Sequence, residues 1–266
     1  MPTNHLVICT ATVVSTPALD EKGMYAFWAD STIVSGQNTD TYHLLMHAPI
    51  TNDDKRIAAL MEKYQVDKRF LFQGKFLFDD DGNPILREEN GNPYATYDIV
   101  LNSANYLGIV QADIPDTFNC IFAMTITQDP EMRVTPSGTY LYQMSGVVNR
   151  SVKDDTDPSG WKNFPLWIRT TVWGEKNAET LVNKGFKKGM LVWLEGTPAP
   201  DKDKTGFIKP WEGDIKEKDT DGKDTGKTHK GWRTSFDVWA NAFSIRMLNK
   251  GGGGSHSSGE FDPIPF

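Results

Sequence analysis

An internal repeat constrains the fold of this chain more than any other feature of its sequence. Residues 41–78 read as an alternating strand, a polar helix-like stretch and a second strand with a glycine near its end, and residues 166–198 repeat this order. Residues 94–107 and 232–248 then close the two halves with similar alternating strands. Self-similarity of this kind indicates two copies of one folding unit, joined near residues 110–118.

Each copy reads as short alternating strands with one helix between the third and fourth strands. Five such strands fit a small closed barrel, because closure removes the edge strands that promote aggregation. A helix at that point of a five-stranded barrel is the arrangement of an OB fold, whereas a flat sandwich would need about seven strands per copy. We therefore predict an all-β chain with one short helix per domain, made of two tandem five-stranded OB-fold barrels and a disordered C-terminal tail.

The predicted boundaries are residues 1–110 for a divergent N-terminal OB fold, residues 118–250 for a second OB fold and residues 251–266 for a flexible tail. One sizeable low-complexity insert, residues 198–231, lies between the last two strands of the second copy. Its alternating Lys, Asp and Gly predict a mobile hairpin or loop.

Charge is distributed unevenly along the chain. The formal net charge is -7, with 28 Lys and Arg against 35 Asp and Glu. Residues 1–110 carry 8 Lys and Arg against 14 Asp and Glu, while residues 111–250 carry 20 against 19. Because phosphate contacts require Lys and Arg, the second part of the chain is the better candidate for a nucleic-acid site.

Motifs of catalytic and metal-binding sites are absent from the sequence. It contains no GxSxG, HExxH or P-loop pattern, and its histidines are scattered. Cys9 and Cys120 lie far apart without a CxxC neighbourhood, which predicts packed thiols and no disulfide or metal site. No segment approaches the roughly 20 apolar residues of a membrane helix, and the start lacks a secretory signal. We predict a cytoplasmic chain that is not an enzyme and has no cofactor, metal or membrane partner.

One strand of the second copy, residues 166–174, combines aromatic and basic side chains on a single face. Side chains alternate between the two faces of a strand, so Trp167, Arg169 and Trp173 share a face that is opposite an apolar one. Exposed rings interleaved with cations suit single-stranded nucleic acid, since each base stacks for about 1 to 3 kcal/mol and cations neutralise phosphates. The alternative is that these tryptophans face a partner subunit or a covering loop.

The second copy resembles the bacterial single-stranded DNA-binding protein family. Six blocks follow the family's order and approximate spacing: residues 128–138, 148–150, 166–174, 178–181, 187–196 and 233–240. The resemblance implies stacking of bases on Trp167 and Trp173, with a further contact from Trp193. The complete set of predicted DNA-binding residues is Trp167, Arg169, Trp173, Trp193, Arg150, Lys188, Trp161, Lys162, Trp211 and Arg233.

The chain also departs from this family. Ser151 and Val152 stand where members often carry an aromatic residue, so one stacking position is missing. In the first copy Tyr42 is aligned with Trp167, but no Arg follows two residues later. We therefore predict that the first copy is a degenerate OB fold that serves assembly, or that it weakly extends the DNA path.

The last seven residues, EFDPIPF, resemble the acidic and apolar tip with which this family recruits replication and repair proteins. The matching residues are Glu260, Asp262, Ile264, Pro265 and Phe266. The alternative is a disordered segment without a role or a remnant of expression engineering, because the GGGGS that precedes the tip is also a common engineered linker. Family members assemble four OB folds, so a chain with two implies a homodimer. The alternative function is that of a tandem OB-fold adaptor between proteins, without strong nucleic-acid binding.

Overall fold

A computed structural model describes residues 5–20, 23–49, 54–79, 81–102, 107–153, 161–218 and 224–248. Over these residues the chain is mainly β-structure with two helices. The predicted fold class, two five-stranded OB-fold barrels with one short helix each, is confirmed. The tail, residues 251–266, lies outside the described residues.

The first barrel contains the expected strand order and one helix. Its elements are β1 (His5–Val13), β2 (Ala18–Leu19), β3 (Tyr25–Ser35), β4 (Asn38–Ala48), α1 (Asp54–Lys63), β5 (Arg69–Phe76), β6 (Leu86–Glu89), β7 (Asn92–Ala95), β8 (Tyr97–Leu101) and β9 (Gly108–Ile109). Strands β1, β3, β4, β8 and β5 pair in that order, and β5 pairs with β1 to close the ring. The β4–β8 pair is parallel, and the other pairs in the ring are antiparallel.

The second barrel repeats this plan. Its elements are β10 (Phe118–Ile126), β11 (Glu131–Val134), β12 (Tyr140–Lys153), β13 (Trp161–Trp173), α2 (Glu175–Lys184), β14 (Leu191–Pro198), β15 (Trp211–Lys218), β16 (Asp224–Arg233) and β17 (Phe236–Met247). Strands β10, β12, β13, β17 and β14 form the closed ring, with a parallel β13–β17 pair. The repeat in the sequence is therefore a repeat of one barrel topology.

The two barrels share a sheet and a core. Strand β1 pairs antiparallel with β10, from His5 opposite Phe122 to Cys9 opposite Phe118. In the core, Phe76 of the first barrel packs against Phe236 of the second, with ring centroids 4.5 Å apart. Aromatic rings bury large apolar areas, so this contact makes the core continuous across both barrels.

Both cysteines lie in that shared core. Cys9 and Cys120 are free and fully buried, as the sequence predicted. Burial in apolar surroundings raises the pKa of both thiols, which keeps them protonated and unreactive at neutral pH.

The insert between β14 and β17 contains a hairpin and a crossing segment. Strands β15 and β16 pair antiparallel and form the hairpin. Residues 199–210, which we call the strap, run from β14 to β15 and contact the first barrel through a bridge between Ile208 and Ala95. The predicted hairpin is present, and the strap ties it to the other half of the molecule.

Candidate nucleic-acid interface

Strand β13 presents two tryptophans to the outside of the second barrel. Trp167 and Trp173 are 48% and 39% exposed. The alternate residues of the strand point into the core, where all are at most 3% exposed: Leu166, Ile168, Thr170 and Val172. Both rings therefore point outward, as the alternation in the sequence predicted. Neither ring is buried inside the barrel.

A third tryptophan extends this aromatic surface. Strand β17 pairs in parallel with β13, which sets Trp239 opposite Thr171. Trp239 is 42% exposed and packs edge-on against Trp173, with ring centroids 6.0 Å apart at 81°. Sequence reasoning left the role of Trp239 open, although its alternation with buried Phe236 and Val238 was a usable signal. Only the β13–β17 pairing shows that Trp239 adjoins Trp173.

Arg169 is exposed but already paired. Its Nε and Nη2 donate to the two carboxylate oxygens of Asp237, at 2.6 and 2.5 Å. The hydrogen bond to Asp237 raises the pKa of Arg169 above its usual value, against the opposing effect of partial burial. The carboxylate offsets the positive charge of Arg169, which the sequence analysis had assigned to DNA binding. Asp237 is therefore a charged member of the site that the sequence analysis missed.

Trp193 lies on a different part of the surface. It is half-buried on β14, in register with Ala123 of β10 and Arg246 of β17. Trp239 is in register with Thr197, four residues further along the same strand, or about 13 Å at the usual strand rise. Trp193 therefore belongs to the outer face of the sheet shared by the barrels, away from the Trp173–Trp239 pair.

Two predicted residues lie opposite each other on the β15–β16 hairpin. Trp211 is exposed and in register with Arg233, whose Nη1 donates to the backbone oxygen of Asp214 at 3.3 Å. A Cβ on Gly213 would come within 2.9 Å of the Arg233 side chain, so glycine gives the guanidinium room to lie across the hairpin. Trp232 is also exposed on this hairpin and was not predicted as a site residue.

Of the remaining predicted site residues, the structure describes the side-chain exposure of Lys188 alone. Lys188 is exposed in the turn between α2 and β14, and its backbone N–H donates to Asp129 Oδ1 at 2.8 Å. Arg150, Trp161 and Lys162 lie in the paired strands β12 and β13, but their side chains are outside the described part of the chain. The predicted tip residues also lie outside the described residues: Glu260, Asp262, Ile264, Pro265 and Phe266.

The first barrel has no tryptophan at the positions equivalent to this surface. The parallel pairs Leu45–Asp98 and Arg169–Asp237 occupy the same place in the two barrels. Gly74 and Gly196 support this equivalence, since a Cβ on either would lie 2.5 Å from a backbone oxygen, of Val100 in the first barrel and of Trp239 in the second.

This equivalence corrects the alignment of Tyr42 with Trp167. Counting along the strands places His43 at the position of Trp167 and Val100 at that of Trp239. Tyr42 is 3% exposed and points into the core, where its hydroxyl donates to the backbone oxygen of Pro198 at 2.8 Å. A shift of one residue reverses the face of every side chain on a strand, which is why the sequence alignment was wrong here.

Asp98, the counterpart of Asp237, is held in a buried charged network. His47 Nε2 donates to its Oδ1 at 2.8 Å, and Arg87 donates to both carboxylate oxygens at 2.8 and 2.9 Å. Burial alone would raise the pKa of Asp98, but the hydrogen bonds from His47, Arg87 and Thr96 together hold it below its usual value. In the first barrel this acidic position is therefore built into the protein interior.

The described part of the chain shows no metal-binding cluster of three or more His, Cys, Asp or Glu residues. None of the helices among these residues is both long and apolar enough to cross a membrane.

Comparison with known proteins agrees with the resemblance seen in the sequence. Residues 119–202 match the model of the Single-strand binding protein family, which confirms the predicted resemblance over most of the second barrel. The matched family is named for binding single strands, and the match therefore agrees with the prediction that the chain is not an enzyme. None of the curated protein sequences is detectably similar to this chain.

Solved structures share the two-barrel fold along nearly the whole chain. The single-stranded DNA binding protein from Thermus aquaticus superposes with a TM-score of 0.52 at 11% identity, covering 95% of this chain and 96% of that one. A deletion mutant of the same protein gives a TM-score of 0.50 at 10% identity, covering 96% and 98%. At sequence identities this low, the similarities establish the fold and nothing further.

Proposed function

We propose that this chain binds and protects single-stranded DNA with little sequence preference. The observation that carries the proposal is the pair of outward tryptophans on β13, Trp167 and Trp173, within the region that matches the single-strand binding family. Every base has a π-face, so stacking on these rings does not select a sequence. The predicted contacts from Trp193, Trp211 and the basic residues remain part of this proposal.

Charge supports stacking as the main source of affinity. Arg169 is tied to Asp237, so fewer cations of this face are available to phosphates than the sequence indicated. Lys188 and Arg233 are exposed and provide positive charge elsewhere on the second barrel. Since each phosphate neutralised on a single strand contributes about -0.7 to the log-log salt slope, we expect a shallow salt dependence.

Titration with poly(dT) tests the proposal. Binding should quench tryptophan fluorescence strongly at low salt. Replacing Trp167 and Trp173 together by alanine should weaken binding by about 2 to 6 kcal/mol, from the stacking energy of two bases. Ile109→Ala, which truncates an exposed side chain of the first barrel, is the control and should leave affinity unchanged. Absence of quenching by poly(dT) at low salt would refute DNA binding and favour the protein adaptor.

We propose further that the C-terminal tip recruits replication, repair and recombination proteins in the cytoplasm. A terminal carboxylate beside an apolar ring suits a small pocket with a basic rim. Deleting residues 260–266 should abolish binding to such a partner, for example a purified replicative helicase, and should leave DNA affinity equal or slightly higher. A chain with the same seven residues in scrambled order is the control for length and charge. A large loss of DNA binding on deletion would contradict the recruitment role.

We also propose that the chain forms a homodimer with four OB folds. The outer face of the shared sheet supports this proposal, because half-buried apolar side chains from both barrels line it: Leu6, Ile8 and Ile121. Light scattering should give twice the mass of one chain. Ile121→Lys should reduce that mass to the monomer value, whereas an unchanged dimer would exclude this face as the interface.

A further inference from the structure

The strap of the second barrel lies on the first barrel. Ile208 and Ala95 exchange two backbone hydrogen bonds of 2.8 and 3.0 Å, and the backbone N–H of His43 donates to Gly206 O at 2.9 Å. Two core tyrosines of the first barrel contact the backbone where the strap begins. The hydroxyl of Tyr42 donates to Pro198 O at 2.8 Å, and the hydroxyl of Tyr97 lies 3.5 Å from Ala199 O. Backbone and side-chain contacts thus fix the strap along its length.

Phe207 of the strap covers the position that corresponds to Trp167. Its ring lies 4.8 Å from the ring of His43, the residue that occupies this position in the first barrel. Tyr94 also packs against the Phe207 ring, with ring centroids 4.9 Å apart, and Trp28 meets that ring edge-on at a centroid distance of 6.1 Å. An aromatic ring of the protein therefore occupies the place where the second barrel offers Trp167 to a base.

The local backbone is shaped for this contact. Gly206 has a φ of +79°, and a Cβ there would lie 2.4 Å from Cδ2 of His43 and 3.0 Å from the backbone oxygen of Thr41. Both its conformation and its space exclude a side chain. On the other side, Asp30 Oδ1 holds Nδ1 of His43 at 2.7 Å and fixes the orientation of the imidazole.

We infer that the strap stays on this face of the first barrel when DNA binds, so that each chain offers one single-stranded DNA site, on the second barrel. The first barrel then holds the strap and the shared sheet, and its outer face is closed to DNA. This inference rests on the proposed function and specifies which half of the chain performs it.

A reversible lock tests the inference. Residues that exchange two hydrogen bonds across an antiparallel pair have Cα atoms about 5.5 Å apart, within the range of a disulfide. The double variant Ala95→Cys, Ile208→Cys should therefore lock the strap when oxidised and release it with dithiothreitol. We expect the oxidised and reduced forms to bind poly(dT) with affinities within about twofold and with the same number of nucleotides per chain. The unaltered chain, treated identically, controls for its own buried Cys9 and Cys120.

The possible failures are distinguishable. A tenfold loss of affinity, or a smaller site size, that appears only after locking would overturn the inference and leave DNA binding intact. Absence of binding in both states, with the unaltered chain also inactive, would overturn the proposed function and the single-site count together.

A second measurement does not depend on a new disulfide. Trp28 packs edge-on against Phe207 of the strap, so we expect Trp28→Phe to leave the absolute poly(dT)-induced quenching unchanged. Trp173→Phe should reduce that quenching, because Trp173 is on the exposed surface of the second barrel. A loss of quenching amplitude in Trp28→Phe would show that DNA reaches the first barrel and would overturn the inference.

Discussion

Arg169 and Asp237 form a two-point ion pair across β13 and β17, with Nε–Oδ1 and Nη2–Oδ2 distances of 2.6 and 2.5 Å. The pair lies on the two strands that carry Trp173 and Trp239. It therefore links the two strands on the same face as the tryptophans and at the same time reduces the positive charge beside them. This exposed pair orients groups more than it stabilises the fold, because solvent screens it.

Replacing Asp237 by asparagine should strengthen DNA binding. The change removes a negative charge and leaves the Arg169 guanidinium available to a phosphate. We expect tighter binding at low salt and a log-log salt slope that is steeper by about 0.7, equivalent to one additional phosphate. Fluorescence titrations at several salt concentrations measure both. Asp40→Asn, the same charge change in the first barrel, should leave the slope as it was, and equal slopes for the two variants would contradict the expectation.

Trp239 should contribute to DNA binding even though the sequence did not assign it to the site. Trp239→Ala removes an exposed ring and the edge-on support of Trp173, so we expect a loss of about 1 to 3 kcal/mol in binding free energy. Val100→Ala alters the equivalent position of the first barrel and should have little effect on affinity. Equal affinities for Trp239→Ala and the unaltered chain would restrict stacking to β13.

Gly196→Ala should destabilise the second barrel. A Cβ at this position would lie 2.5 Å from the backbone oxygen of Trp239 and 2.6 Å from Cγ1 of Val238, so strands β14 and β17 would have to separate. Overpacking of this kind costs about 1 to 3 kcal/mol, to be measured by urea unfolding. Gly108→Ala introduces the same methyl group where no atom lies within 4 Å, and it should be close to neutral. Equal stabilities of the two variants would contradict the tight β14–β17 approach.

Stability should fall as pH rises through the raised pKa of His43. The hydrogen bond to Asp30 raises this pKa, against a lowering effect of burial, so the folded state holds the proton more tightly than the unfolded state does. The contribution of the pair is complete below the unfolded pKa of about 6.5 and disappears above the folded one. Urea midpoints between pH 6 and pH 9 should therefore decline for the unaltered chain. Asp30→Asn should flatten that decline, and an identical decline would show that the pair contributes nothing.

The sequence was sufficient for those features that depend on local periodicity. The repeated order of strands and helix indicated two barrels, and alternation along β13 placed Trp167 and Trp173 outward, because the pleat of a strand fixes which side chains share a face. The block of residues 166–174 was also one of the six blocks that carried the family resemblance. None of these inferences required knowing which strands are neighbours.

The tertiary structure decided everything that depends on contacts between distant segments. Asp237 and Trp239 join the aromatic surface because β17 pairs in parallel with β13, a register that neither strand specifies alone. Phe207 reaches His43 because the strap crosses from one barrel to the other. Such contacts arise from the packing of a shared core between segments far apart in the chain, so local patterns alone do not determine them.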